Sequence, residues 1–230
     1  MELFTEGDIL GLVAVYGYVF CVVALSYALR NKVRNARKLV HILTGGIVFF
    51  WWSFDSDIVM AGLAAFPFIV ILILATPSSP VEFLRRSPLG IRSSEGHPYG
   101  LVMYAISWTL VAYFLFDDLV AASIAIAAMS FGDGMGELVG SRYGRHRYAY
   151  NRSLEGSLAV MAATLVGILA LFWLYYDILA YSGGTAPYLP LLFAVSIAAF
   201  VACLEAVTPG SVDNLVIPLV VAAFLHGMGV

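Results

Sequence analysis

Every lysine and arginine in this chain falls in one of three segments that separate its apolar runs. Arg30, Lys32, Arg34, Arg37 and Lys38 follow the first run, Arg85, Arg86 and Arg92 the third, and Arg142, Arg145, Arg147 and Arg152 the fifth. Alternate connections of a membrane bundle share one face, and basic residues collect on the cytoplasmic side. A span takes about 20 apolar residues at 1.5 Å rise each. By that measure the sequence predicts helices at 9–29, 39–54, 58–76, 99–116, 119–140, 155–176, 187–207 and 212–229. The expected fold is therefore an all-α polytopic bundle of eight transmembrane helices, with the N-terminus outside and residues 1–230 forming a single domain. The opposite connections hold only acids: Glu2, Glu6, Asp8, Asp55, Asp57, Asp117, Asp118 and Asp177.

Composition agrees. Only 12% of the 230 residues are charged and 61% are hydrophobic, against about a quarter charged in soluble domains. Cys21 and Cys203 sit in apolar runs without metal-ligand spacing, which reads as two small buried hydrophobes. The acidic start MELFTEGD argues against a cleavable signal peptide. The Pro- and Ser-rich segment 77–98 has two readings, a lid and a solvated connection whose arginines lie near lipid phosphates.

The other seven acids share the basic face, several at helix ends, where rigid elements can hold a site. SFGDGMGELVGSRYGRHRYAYNRSLEGS, residues 130–157, is the densest stretch. Gly132, Gly136, Gly140 and Gly144 recur one helical turn apart and leave a bare stripe. That stripe suits a homodimer contact, an intramolecular helix contact or a phosphate. Asp133 and Glu137 stack beside it, and carboxylates in membrane helices line polar cavities or pair with bases. Ion pairing with Arg142 or another loop cation is their purely structural reading. Ser153 caps the next helix and Glu155 favours its dipole, although Arg152, Ser153 and Gly156 at a helix N-terminus also cradle phosphate. In RNARKLVHI, residues 34–42, Lys38 and His41 project together; the bases serve equally as a positive-inside anchor, whereas a buried imidazole needs a partner. In LEAVTPGSVDNLVIP, residues 204–218, Glu205 ends one helix and Asp213 with Asn214 opens the next.

Together these elements resemble the membrane kinases of isoprenoid alcohols and lipids. That group contains dolichol, phytol and farnesol kinases and the CTP-dependent diacylglycerol kinase, and is related to the CDP-diglyceride synthases. RKLVHI (37–42), GDGMGELVGSRYG (132–144), SLEGS (153–157), Glu205 and DNL (213–215) with Pro218 carry the resemblance, and the central spacing is most like that of phytol kinases. The family often has Ala at the place of Gly136 and Lys at that of Arg152. The resemblance implies phosphoryl transfer from a nucleoside triphosphate, commonly CTP, to the terminal hydroxyl of a lipid alcohol of dolichol, polyprenol, phytol or geranylgeraniol type.

It also implies that Asp133, Glu137 and Glu155 lie near Mg²⁺ (or Mn²⁺) and the triphosphate, beside Arg152, Ser153 and Gly156. Lys38 and His41 would share that mouth, and Glu205, Asp213 and Asn214 would close it. On this reading Arg142, Arg145, Arg152 and Lys38 neutralise phosphate, Gly132 and Gly136 let it approach, and Asp133, Asp213 or His41 receives the proton. Expected partners are the nucleotide, the lipid alcohol and the bilayer, with no nucleic acid. The expected location is a plasma membrane in a prokaryote or the endoplasmic reticulum in a eukaryote. A cytidylyltransferase making a CDP-lipid and a diacylglycerol kinase are the nearest alternatives. A transporter, the remoter one, would place charge near the bilayer midplane rather than at one mouth.

Overall fold

A computed structural model of the protein describes residues 4–29, 36–94, 99–181, 190–210 and 212–229. Regular structure among them is helical apart from one isolated bridge between Arg147 and Ser153. Helix α1 spans Glu6–Ala28, and α2 covers Ala36–Thr44 before tightening into a 3-10 stretch, Gly45–Ser53. Helix α3 opens with a π-helical stretch, Val59–Ala65, and continues through Phe66–Leu74. Two short helices, α4 (Glu82–Arg85) and α5 (Pro88–Ser94), lead into α6 (Gly100–Phe114). The remaining helices are α7 (Leu119–Tyr143), α8 (Leu154–Ile178), α9 (Pro190–Val207) and α10 (Asp213–Met228).

Helices α1, α7, α8 and α9 are long and apolar enough to cross a membrane, and α2, α3, α6 and α10 are apolar but shorter. Each coincides with one of the expected runs. The end of segment 182–189, where the seventh run was expected to begin, lies outside the described residues, as do Arg30, Lys32, Arg34 and Glu95. Helix α1 starts earlier than its apolar run because Thr5 caps it: its hydroxyl accepts from the Asp8 amide at 3.0 Å while Asp8 accepts from the Thr5 amide. Asp8 is buried, and its second oxygen accepts from the amides of Asp55 and Ser56, so this acid fastens α1 to the turn before α3.

The bundle is built around α7, whose residues from Leu119 to Ser130 are all buried. Lipid is as apolar as leucine, so packing and small contact residues, rather than a hydrophobic force, hold membrane helices together. The run LVAASIAIAAMS supplies them. A buried hydroxyl pair, Ser123 with Tyr175 of α8 at 3.0 Å, adds a polar tie. Gly45 of α2 lies against Ser130 and Phe131 of α7, and Gly46 against the Tyr18 ring of α1, so the paired glycines serve close packing.

Pro218 sits inside α10 and lacks the N–H that would bond the Asn214 carbonyl one turn back. Ser107 of α6 makes good the loss, donating to that carbonyl at 2.6 Å. The side-chain amide of Asn214 donates in turn to Gly100 O at 3.0 Å. Asn214 is thus fixed from two sides. One expectation fails here: Cys21 and Cys203 are exposed on the bundle surface, not buried. An apolar face turned to lipid has the same sequence signature as a core face.

Candidate active site

The glycine stripe of α7 faces α8. A Cβ on Gly156 would meet the Gly136 carbonyl at 3.0 Å and Gly140 Cα at 3.3 Å, and one on Gly140 would meet Gly156 Cα at 3.4 Å. Gly132 faces Thr164 of the same helix rather than a phosphate site. Of the three uses open to the stripe, the intramolecular helix contact is the one the fold makes. This close approach brings the opposite flank of α7, carrying Asp133 and Glu137, against the start of α2.

There Lys38, buried, places Nζ 2.8 Å from Asp133 Oδ2 and 2.7 Å from Glu137 Oε2. His41, one turn further along α2, has Nε2 at 3.2 Å from the Met129 carbonyl and 3.8 Å from Asp133 Oδ2. Its ring meets Tyr104 edge-on at 4.8 Å, and the Tyr104 hydroxyl pairs with Ser130 Oγ at 2.9 Å. On the other side of Asp133, Arg152 pairs through Nη1 with Glu205. Its Nη2 donates to Asp213 Oδ2 at 3.2 Å and to the Thr208 carbonyl at 3.1 Å. Nη1 also lies 3.8 Å from Asp133 Oδ1. Two cations and four carboxylates from α2, α7, α9, α10 and the hairpin before α8 therefore form one continuous cluster.

That hairpin positions Arg152. Tyr148 N donates to Arg152 O at 2.9 Å and Leu154 N to His146 O at 3.0 Å, while Tyr150 and Asn151 turn the chain with positive φ. Asn tolerates the left-handed region, whereas Tyr at φ 55° does so only where surrounding contacts hold it. Ser153 then caps α8, accepting from Gly156 N at 3.1 Å, and the Tyr148 hydroxyl meets Ser157.

Hairpin and cluster enclose a polar cleft of about 400 Å³. Lys38, Gly136, Glu137, Arg152, Ser153, Gly156, Glu205, Asp213 and Asn214 all line it, as the sequence led us to expect. Asp133 stands one side chain behind, reached through Lys38 and Arg152. Glu155 is a correction. Its Oε2 accepts from the amides of Arg145 and His146 at 3.0 and 3.3 Å, and its Oε1 pairs with His146 Nδ1 at 2.7 Å. These bonds tie it to the hairpin, and it does not line the cleft, so it braces the loop instead of facing a metal. Arg142 and Arg145 are exposed and do not line the cleft; Arg142 lies over the Tyr143 ring. Sequence reasoning passed over Arg147, Tyr150 and Asn151, which do line it. Arg147 is held by the Asn151 carbonyl and side-chain oxygens at 2.9 and 2.8 Å. Its place in the sequence, five residues before Arg152, was the only available signal.

Among the described residues no three His, Cys, Asp or Glu side chains make a cage for a metal ion. Mg²⁺ seldom needs one, because it binds through one or two carboxylates plus substrate phosphates and water. The donor set fits that habit: Glu205 Oε2 and Asn214 Oδ1 are buried with no hydrogen-bond partner, and both residues line the cleft. A buried oxygen without a partner costs about 1–3 kcal/mol, so this end of the cleft is better satisfied with a cation or a donor group present.

No family model matches the chain, and no solved structure matches it either. Curated relatives do. The phytol kinase of Synechocystis sp. is 34% identical over 191 residues, which cover 80% of this chain and 74% of that protein. Phytol kinase 1, chloroplastic, of Arabidopsis thaliana is 28% identical over 95% of this chain and 76% of its own length, and the probable phytol kinase 1 of Glycine max 30% over 82% and 65%. With the cluster built from the same segments that carried the resemblance, the chain belongs to the phytol kinase family.

Proposed function

We propose that this protein is a membrane kinase that moves the terminal phosphoryl group of a nucleoside triphosphate, CTP, onto the hydroxyl of an isoprenoid alcohol of the phytol class. The observation that carries this reading is the cleft: a buried cation, Lys38, and a partly buried one, Arg152, each held between carboxylates of the helices. Phosphoryl transfer needs alignment and charge neutralisation more than covalent help. A preorganised basic pocket supplies both.

In this reading Lys38, Arg152 and Arg147 receive the phosphates, with Ser153 and Gly156 at the N-terminus of α8. Glu205, Asn214 and Glu137 would hold Mg²⁺, which when bound neutralises phosphate charge. The acceptor oxygen attacks the terminal phosphorus, the bond to the bridging oxygen breaks, and the nucleoside diphosphate departs. The hydroxyl proton passes to Asp133, whose carboxylate is oriented by Lys38. Asp133 is assigned this role because it touches both sides: it bonds Lys38 of the cleft and lies 3.8 Å from His41, while Asp213 is held by Arg152 and the Asn214 amide. All eight apolar helices would cross the bilayer, the short ones in its locally thinned or protein-buried part, with the N-terminus outside and the cleft on the basic, cytoplasmic face.

The test is transfer of label from [γ-³²P]CTP and [γ-³²P]ATP, with Mg²⁺, to a panel of prenols, phytol, dolichol and diacylglycerol by the purified protein. A labelled lipid monophosphate with release of the nucleoside diphosphate supports the reading. Release of pyrophosphate with a CDP-lipid, or no transfer to any alcohol, contradicts it.

A further inference from the structure

An alcohol of this class has one polar atom at the end of a long apolar chain, so its site must be an apolar groove ending beside the phosphates. Two grooves compete. The wider, about 520 Å³, is lined by Ile42, Phe49, Phe131, Met135, Ala163 and Gly167, without a polar side chain. Phe131 and Met135 lie two positions from Asp133 and Glu137 on α7, about 200° around the helix. That groove therefore opens on the far side of α7 from the carboxylates.

The narrower groove, about 60 Å³, lies between α1, α2, α3 and α6. Val19, Leu72, Leu101, Ala105 and Trp108 make it apolar, Leu89 of α5 adds to its wall, and His41 and Tyr104 supply a polar end. His41 belongs to this groove and lies 3.8 Å from Asp133, which in turn bonds Lys38 of the polar cleft. Asp133 is thus the acid that joins groove to cleft.

Resting on the kinase reading, we propose that the acceptor's hydroxyl-bearing end occupies this narrow groove, with Ala105 and Leu72 setting what passes. So small an enclosure admits little more than the first isoprene unit, and the rest of the chain lies along the bundle in lipid. The site then discriminates the shape of the alcohol's head and tolerates chain length. Acceptors of 10, 15 and 20 carbons differ by less than about tenfold in kcat/KM, while diacylglycerol, with two acyl chains beside its hydroxyl, is rejected.

The experiment pairs photolabelling with kinetics on the purified full chain. A 20-carbon alcohol carrying a diazirine on its first isoprene unit should mark peptides containing Leu72, Leu101 or Ala105; adducts confined to Phe131–Ala170 would overturn the assignment. Ala105→Leu should raise the acceptor KM at least about tenfold and leave the nucleotide KM unchanged. Leu72→Phe, on a different helix, repeats the test should Ala105→Leu lower thermal stability. Prenol phosphorylation indifferent to both changes sinks the groove while sparing the kinase. Labelling of the groove without phosphorylation of any prenol supports the groove and removes the kinase reading.

Discussion

Arg152 lies three residues from Glu155 and six from His146 in sequence, yet the fold treats the charges grouped with each in opposite ways. Lys38, Asp133, Arg152, Glu205 and Asp213 are drawn inward, each ion-paired with a residue distant in sequence. Arg142, Arg145, His146 and Glu155 stay at the surface, where Glu155 braces the hairpin through local bonds. A buried ion pair is costly to desolvate, and removing one partner leaves an uncompensated charge; an exposed pair contributes little. The difference teaches that burial, more than charge or proximity in sequence, separates the charges gathered around the cleft from those that hold a loop.

The comparison breaks first at Asp133. Asp133→Asn removes the carboxylate that orders Lys38 and faces His41, and kcat should fall by about 10³-fold, measured as label transfer to a prenol. Next is Arg152→Met, which strands Glu205 and Asp213 and should cost about 3–5 kcal/mol, read as thermal or denaturant unfolding in detergent. Arg152→Lys should recover most of that stability while weakening nucleotide binding, because an ammonium cannot fork between two carboxylates. Gly156→Val tests the contact of α7 with α8 on which the cluster depends, with an expected loss of about 1–3 kcal/mol. Arg147→Ala should raise the nucleotide KM about tenfold without moving the unfolding midpoint. The smallest effect belongs to Glu155→Gln, which should leave kcat within about fivefold of wild type.

The helical bundle itself was legible because the length of an apolar run acts on a whole helix. Apolar runs placed the eight apolar helices to within a turn but missed the short α4 and α5 inside segment 77–98, and a capping residue such as Thr5 explains where one began early. The convergence of Lys38, Asp133, Arg152, Glu205 and Asp213 was legible too, since acids placed among arginines at helix ends need partners. What failed was direction. Glu155 stands on the first turn of α8, two residues from Ser153, yet the hairpin's amides claim it, and no periodicity records where a loop will fold back. Arg147 reaches the cleft only because Tyr150 and Asn151 reverse the chain with positive φ, a turn no residue signature announced. Cys21 and Cys203 were misread for a third reason: lipid and protein interior are equally apolar, so hydrophobicity cannot tell them apart.

The most direct measurement sets Asp133→Asn beside Glu155→Gln, both purified and both shown to be folded at the assay temperature, in one assay of phosphate transfer from labelled nucleotide to a prenol. The buried-cluster account predicts that the Glu155 variant outpaces the Asp133 variant by at least about 100-fold. Equal rates, or a reversed order, would contradict it.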